Sequence, residues 1–108
     1  MMQRNGCSEA DWRVYREVSG RAIDRYCERA LSGVSRVLGD ESKGAWDQLA
    51  EIEKVSREHR RIIRRDFSEM SRSNVRMQLH AMHAAGLLEP EEMARFSDEM
   101  RTTFDPLR

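Results

Sequence analysis

The sequence predicts an all-α fold made of two long antiparallel helices and a short C-terminal helix. Apolar side chains recur at steps of three and four residues over two long stretches, which is the spacing of one face of a helix. Proline occurs only at Pro90 and Pro106, so neither stretch contains a proline, the residue that breaks helices most strongly. Charged residues make up 35% of the chain and hydrophobic residues 39%, a balance typical of a thin helical assembly with a large surface.

The length of the apolar stripes predicts a partner chain. A chain of 108 residues forms one domain, here expected over residues 8–104, between a flexible leader at 1–7 and a tail at 105–108. Two long helices alone do not bury both faces that carry Trp12 and Trp46. We therefore expect a second copy to complete a helical bundle as a homodimer.

The first helix is predicted over residues 8–38. Ser8 is a good N-cap, and Asp11, three residues on, is a short variant of the usual capping-box acid. Gly39 follows the last apolar residues and suits the position after a helix where φ is positive. The apolar stripe between these ends is Trp12, Tyr15, Val18, Ala22, Ile23, Tyr26, Ala30, Leu31, Val34, Val37 and Leu38.

The second helix is predicted over residues 42–85, with the possibility of a bend near residues 71–74. The segment Ser71-Arg72-Ser73-Asn74 is a cluster of weak helix formers that prefer caps. No glycine or proline enforces a break there, and the stripe continues in phase from Phe67 to Val75, so we favour a continuous or slightly bent helix. The rest of this stripe is Trp46, Leu49, Ile52, Val55, His59, Ile62, Ile63, Met70, Leu79 and Met82.

The last helix is predicted over residues 90–104. Gly86 suits the end of the preceding helix, and Leu87 and Leu88 supply the apolar contact that often accompanies such a stop. Pro90 fits the first helical position, and the acids around it sit at the positive end of the helix dipole. The stripe of this helix is Met93, Phe96, Met100 and Phe104.

Charge and cysteine content exclude several classes of protein. The net charge is zero, which argues against a general nucleic-acid or membrane binder. No apolar run approaches the roughly 20 residues of a membrane span. Residues 1–11 lack the apolar core of a signal peptide, so we expect a cytoplasmic protein in which Cys7 and Cys27 are free thiols.

No motif for catalysis, a cofactor or a metal is present, so no residue is assigned to such a site. His80 and His83 have the spacing of two metal ligands on a helix, but a third ligand would have to come from elsewhere, and the roles of both remain open. His59 lies in an apolar stripe, where a core or interface histidine is the simpler interpretation than a general base. Cys27 has no nearby histidine in the sequence and is interpreted as an inert thiol. A non-catalytic protein is therefore favoured over an enzyme.

Five arginines on the second helix form the strongest candidate for a functional surface. We call them the arginine ridge: Arg57, Arg60, Arg61, Arg64 and Arg65. Two interpretations remain open for this ridge. Its guanidinium groups could lie against nucleic-acid phosphates. They could instead pair with acids, either local ones or those of the last helix, and this second interpretation is favoured.

These patterns favour a non-catalytic protein-interaction or structural module, a homodimeric bacterial accessory or regulatory protein. The alternative is a nucleic-acid-binding regulator that uses the arginine ridge. A small helical enzyme or metal protein built around the histidines comes third. The residues expected to form core or dimer contacts are Trp12, Trp46, His59, Ile63, Phe67, Leu79 and Phe96.

Overall fold

The computed structural model describes residues 7–67 and 71–104, and within these ranges the fold is all-α with no strand. A short 3-10 turn, Arg72–Asn74, separates the second and third of five α-helices. The helices are α1 (Glu9–Leu38), α2 (Ala45–Asp66), α3 (Val75–Ala84), α4 (Pro90–Met93) and α5 (Asp98–Phe104).

The two long helices, α1 and α2, form the predicted antiparallel hairpin. Near its loop, the Gln48 side chain donates to the carbonyl of Val37, 11 residues away in sequence. Further along, Tyr26 and His59 are in hydrogen-bond contact although they are 33 residues apart. A sequence separation that grows along the seam is the signature of two helices running in opposite directions.

The helix ends follow local capping chemistry, with two corrections at the hairpin loop. The Ser8 hydroxyl accepts from the Asp11 amide at 3.1 Å, so the predicted N-cap is confirmed. Gly39 has φ −84° and not the predicted positive value. The second helix begins at Ala45 and not at Ser42, because the Asp40 carboxylate accepts from both the amide and the hydroxyl of Ser42 and holds that residue in the loop.

The structure differs from the predicted continuous or slightly bent helix over residues 42–85. The second helix ends at Asp66, and Phe67 leaves the helical conformation with φ −130° and ψ −1°. The buried ring of Phe67 packs beside Tyr26 of α1, with ring centroids 5.7 Å apart. Beyond the undescribed residues 68–70, Ser71 is extended and its hydroxyl accepts from the Ser73 amide. The weak helix formers thus cap a new turn, and the core contact of Phe67 accompanies the end of α2.

The predicted last helix, 90–104, is two helices. Its start is confirmed, since Pro90 takes the first helical position and Glu89 and Glu92 form a capping box. Gly86 has φ +73° and is the only described residue with positive φ, as expected after a helix end. The break falls before α5, where the Asp11 carboxylate accepts from the amide and hydroxyl of Ser97, at 2.8 and 2.6 Å.

Burial divides the molecule into two parts. The head comprises residues 7–22, 67 and 71–104, and it contains every buried side chain in the described chain. The arm comprises residues 23–66, none of which is buried. Cys7 is only 3% exposed, so the predicted leader is too long by at least this residue, and residues 1–6 and 105–108 lie outside the described ranges. The molecule is elongated, with principal extents of 60 × 23 × 21 Å.

Candidate protein-interaction face

One side of the arm carries large apolar side chains that no part of the described chain covers. Trp46 is 82% exposed and Leu49 67%, both near the start of α2. Leu31 and Leu38 of α1 are 64% and 60% exposed. Since α2 has no buried residue along its 22 positions, its contact with α1 alone does not form a core.

Three shallow grooves follow this side of the arm and share lining residues. The first, of about 290 Å³, lies between α1 and α2, and Ser56 and Arg60 are common to it and to a second groove of about 310 Å³. The second shares Leu49 and Glu53 with a third, of about 120 Å³, beside Trp46. We call this continuous surface the arm face. Its lining residues are Cys27, Ala30, Leu31, Val34, Trp46, Leu49, Ala50, Ile52, Glu53, Ser56, Arg57, His59, Arg60 and Ile63.

His59 lies at the inner edge of the arm face. Its Nδ1 is 2.8 Å from the Tyr26 hydroxyl, and the two rings meet edge to face at 5.4 Å between centroids. No acid is among the residues lining the groove that His59 and Cys27 share. Among the described residues, the hydrogen-bond partner at Nδ1 of this half-buried histidine is a tyrosine hydroxyl and not the carboxylate that orients a general base.

The arginine ridge is paired mostly with acids of its own helix. Arg57 approaches Glu53 at 3.0 Å, Arg61 approaches Glu58 at 3.9 Å, and Arg65 binds Asp66 at 2.8 Å. The first two pairs have the four- and three-residue spacing of neighbours on a helix, and the third joins adjacent residues. The side chains of the Glu53–Arg57 and Glu58–Arg61 pairs are largely exposed, so these pairs add little to stability.

The acids of the last two helices pair with other arginines. Glu92 of α4 binds Arg25 of α1 through two hydrogen bonds of 2.7 Å, and Glu99 of α5 lies 3.7 Å from Arg76 of α3. Both acids are therefore engaged by arginines outside the ridge.

The predicted contact residues divide between the two parts of the molecule. Phe67, Leu79 and Phe96 are buried in the head. Trp12 is half-buried there, stacked on Tyr15 at 5.8 Å, with the Arg72 guanidinium 5.3 Å from its ring centre. The others, Trp46, His59 and Ile63, line the arm face.

Sequence reasoning missed the polar contacts that attach α1 to the rest of the head. Besides its pair with Glu92, Arg25 donates to the carbonyl of Leu87 at 2.6 Å. Arg29, one turn on, donates to the carbonyls of Ala85 and Gly86, so two arginines cap the end of α3. The hydrogen bonds from Arg25 hold the pKa of the Glu92 carboxyl below its usual value. The only signal in the sequence was their spacing of four residues on one helix face.

Metal-binding clusters and membrane-spanning helices are absent from the described residues. In residues 7–67 and 71–104 no three His, Cys, Asp or Glu side chains are close enough together to hold a metal ion. His80 is exposed and His83 is half-buried on α3. Among the described helices, none is long and apolar enough to cross a membrane.

No protein-family model, curated protein or solved structure matches this chain.

Proposed function

We propose that this protein is a non-catalytic helical interaction module that acts as a homodimer, with the arm face as its binding surface. The observation that carries the proposal is the exposure of Trp46 and Leu49 on a long helix with no buried residue. An isolated hairpin gains little stability from an apolar face that stays exposed to water. Contiguous exposed apolar surface of this kind is typical of protein-protein contacts.

The surroundings of the polar groups support a binding role over a catalytic one. His59 forms a hydrogen bond with Tyr26, and no acid is among the residues that line its groove. Three arginines of the ridge are engaged by local acids, and this favours the interaction module over nucleic-acid binding. As an accessory or regulatory protein, the homodimer would present its heads at a fixed spacing to further partners.

The test is the mass of the protein in solution, measured by light scattering after gel filtration at micromolar concentration. We expect a dimer for the parent and a monomer for the variant Trp46→Glu/Leu49→Glu. The matched control is Met77→Glu, since Met77 is also a large exposed apolar residue, at 66%, but lies on α3 in the head. A parent protein that is a stable monomer with a cooperative melt would contradict the proposal.

Nucleic acid is tested with the same instrument. Addition of a mixed-sequence DNA duplex is expected to leave the mass unchanged. Salt-sensitive binding that disappears in the variant Arg61→Glu/Arg64→Glu, with the dimer intact, would replace the proposed function by a nucleic-acid role.

A further inference from the structure

The structure indicates how the second copy is seated, and this inference rests on the proposed homodimer. We propose that two arms pair through α2 in opposite directions, about a two-fold axis near Ser56. Each α2 then places its acidic first half against the arginine-rich second half of the other copy.

The first support is a second seam on α2. One set of half-buried residues repeats along α2 and includes Gln48 and His59, which form hydrogen bonds with α1: Gln48, Ile52, Val55, His59, Ile62 and Asp66. Another set repeats at the same three- and four-residue steps and lies on the arm face: Trp46, Leu49, Glu53, Ser56, Arg60 and Ile63. A helix with two such seams is typical of a bundle in which it contacts a neighbour on each side. Within the described chain the second seam is exposed from Trp46 to Arg60, and Ile63 at its end is half-buried against the core of the head.

The second support is the charge distribution along α2. Residues 45–55 contain three acids, Asp47, Glu51 and Glu53, and one lysine. Residues 57–66 contain the five arginines of the ridge and two acids. Parallel pairing would place like charges together over the whole length, whereas antiparallel pairing matches opposite charges in both halves. A second copy therefore supplies the charge complement of this face.

The two charged residues of the outer seam fix the register. An axis between Ser56 and Arg57 brings Glu53 of each copy opposite Arg60 of the other. Arg60 forms no ion pair with any residue that the structure describes, and Glu53 is 73% exposed beside Arg57. Charged residues in a seam destabilise the dimer when the register leaves them without an opposite charge. They therefore select one alignment of the two helices. The same axis places the Trp46 end of one helix on the Ile63 end of the other.

The size of the arm face is adequate for a stable dimer. The 22 residues of α2 span about 33 Å, and two adjacent helices are about 20 Å wide. Their footprint is about 660 Å², near the roughly 800 Å² per partner of a standard interface.

The test uses two single charge reversals, Glu53→Arg and Arg60→Glu. Each alone sets like charges opposite one another in its own homodimer, so we expect dimerisation at least about tenfold weaker than in the parent. When the two variants are mixed, both contacts in the mixed dimer are again between opposite charges. We expect a heterodimer with an affinity near that of the parent, measured by analytical ultracentrifugation. The control is Lys54→Glu, which makes the same charge reversal as Arg60→Glu at an exposed residue outside the seam. We expect this variant to dimerise like the parent.

The relative direction of the two α2 helices is tested separately, by cysteine cross-linking in a Cys7→Ala/Cys27→Ala background. Ser56→Cys is expected to cross-link between copies under mild oxidation. Leu49→Cys and Ile63→Cys are expected not to, because each would lie about 20 Å from its counterpart in antiparallel helices. Circular dichroism melts of every variant establish that it is folded.

The outcomes separate this inference from the proposed function. A dimeric parent whose affinity is unaffected by either charge reversal overturns the antiparallel arrangement and leaves the homodimer standing. Cross-linking at all three positions also overturns the antiparallel arrangement, indicates parallel helices and leaves the homodimer standing. A monomeric parent overturns both.

Discussion

At the scale of single residues, Asp11 joins the two ends of the described chain. It is only 4% exposed, yet its carboxylate is satisfied by the amide and hydroxyl of Ser97, 86 residues later. A buried carboxylate is tolerated when each oxygen accepts a hydrogen bond. The first turn of α1 therefore serves also as the N-terminal cap of α5.

Two glycines that differ in backbone conformation are expected to respond in opposite ways to a methyl group. Gly86→Ala should destabilise the fold by about 1 kcal/mol, because φ +73° is strained for alanine. Gly20→Ala should stabilise it by about 0.5–1 kcal/mol, since Gly20 is inside α1 with nothing within 4 Å of the added carbon. Urea unfolding of both variants measures the two changes, and equal shifts would contradict the assigned conformations.

At the scale of elements, α1 acts as the common support of the C-terminal helices. Arg25 holds the start of α4 through Glu92 and the end of α3 through Leu87. The Glu92 carboxylate also accepts from the amide of Glu89, so one buried acid is at once a helix cap and an ion-pair partner. Removing its charge affects two contacts together.

The stability of the head is expected to fall in acid through Glu92. Its folded pKa is lowered, first by the hydrogen bonds from Arg25. A carboxyl with a lowered folded pKa contributes stability that is fully present above about pH 4.5, the unfolded value, and is lost as the pH falls through the folded value. Glu92→Gln should be less stable by about 1–3 kcal/mol at pH 7 and show a smaller loss below pH 4.5.

Thermal melts between pH 7 and pH 3 measure this dependence on Glu92. The exposed neighbour provides the control, Glu91→Gln, which should keep the acid dependence of the parent. An unchanged pH profile in Glu92→Gln would mean that this carboxylate does not hold α4 to α1.

Phe96→Ala tests the docking of the C-terminal segment. The ring is 3% exposed in the core between α4 and α5, so its removal leaves a cavity and should cost about 3–5 kcal/mol. Differential scanning calorimetry gives the change in melting temperature. A melting temperature equal to that of the parent would show that this segment is not part of the cooperative head.

Local chemistry in the sequence was sufficient for some helix ends and insufficient for others. Ser8, Gly86 and Pro90 act through neighbours a few residues away, so their roles could be predicted. The breaks after Asp66 and before Asp98 involve Phe67 on Tyr26 and Asp11 on Ser97. These contacts join distant parts of the chain, and no periodic pattern encodes them.

The candidate face was only partly predictable for the same reason. Helical spacing predicted that the Trp46 stripe exceeds what one chain covers, and Trp46 is indeed exposed. The sequence did not show that all burial lies in the head, because Trp12 and Trp46 occupy similar stripes. The acids of α4 and α5 matched the arginine ridge in charge, but Glu92 pairs with Arg25 and Glu99 with Arg76, contacts between distant parts of the chain.

At the scale of the whole molecule, the division into a buried head and an unburied arm predicts unequal protection of backbone amides. In the monomeric variant Trp46→Glu/Leu49→Glu, amides of residues 48–60 should exchange with deuterium faster than those of α3, which contains Val75, Leu79 and Met82 in the core. In the parent dimer, the difference in exchange rate between residues 48–60 and α3 should be smaller. Mass spectrometry of peptides from both proteins measures it, and equal protection in the monomer would contradict the division.

The head is assembled from the two ends of the described chain, and this has a kinetic consequence. Tyr15 and Gln78 are hydrogen-bonded but 63 residues apart, so the head closes only after the intervening chain has folded back. The α1–α2 hairpin folds locally from its loop at residues 39–44 and brings the two parts of the head close together. It therefore reduces the entropy cost of closing the head. We therefore expect substitutions near this loop to slow folding, whereas substitutions in the head accelerate unfolding. The part of the molecule with the fewest buried contacts would then determine how quickly the core forms.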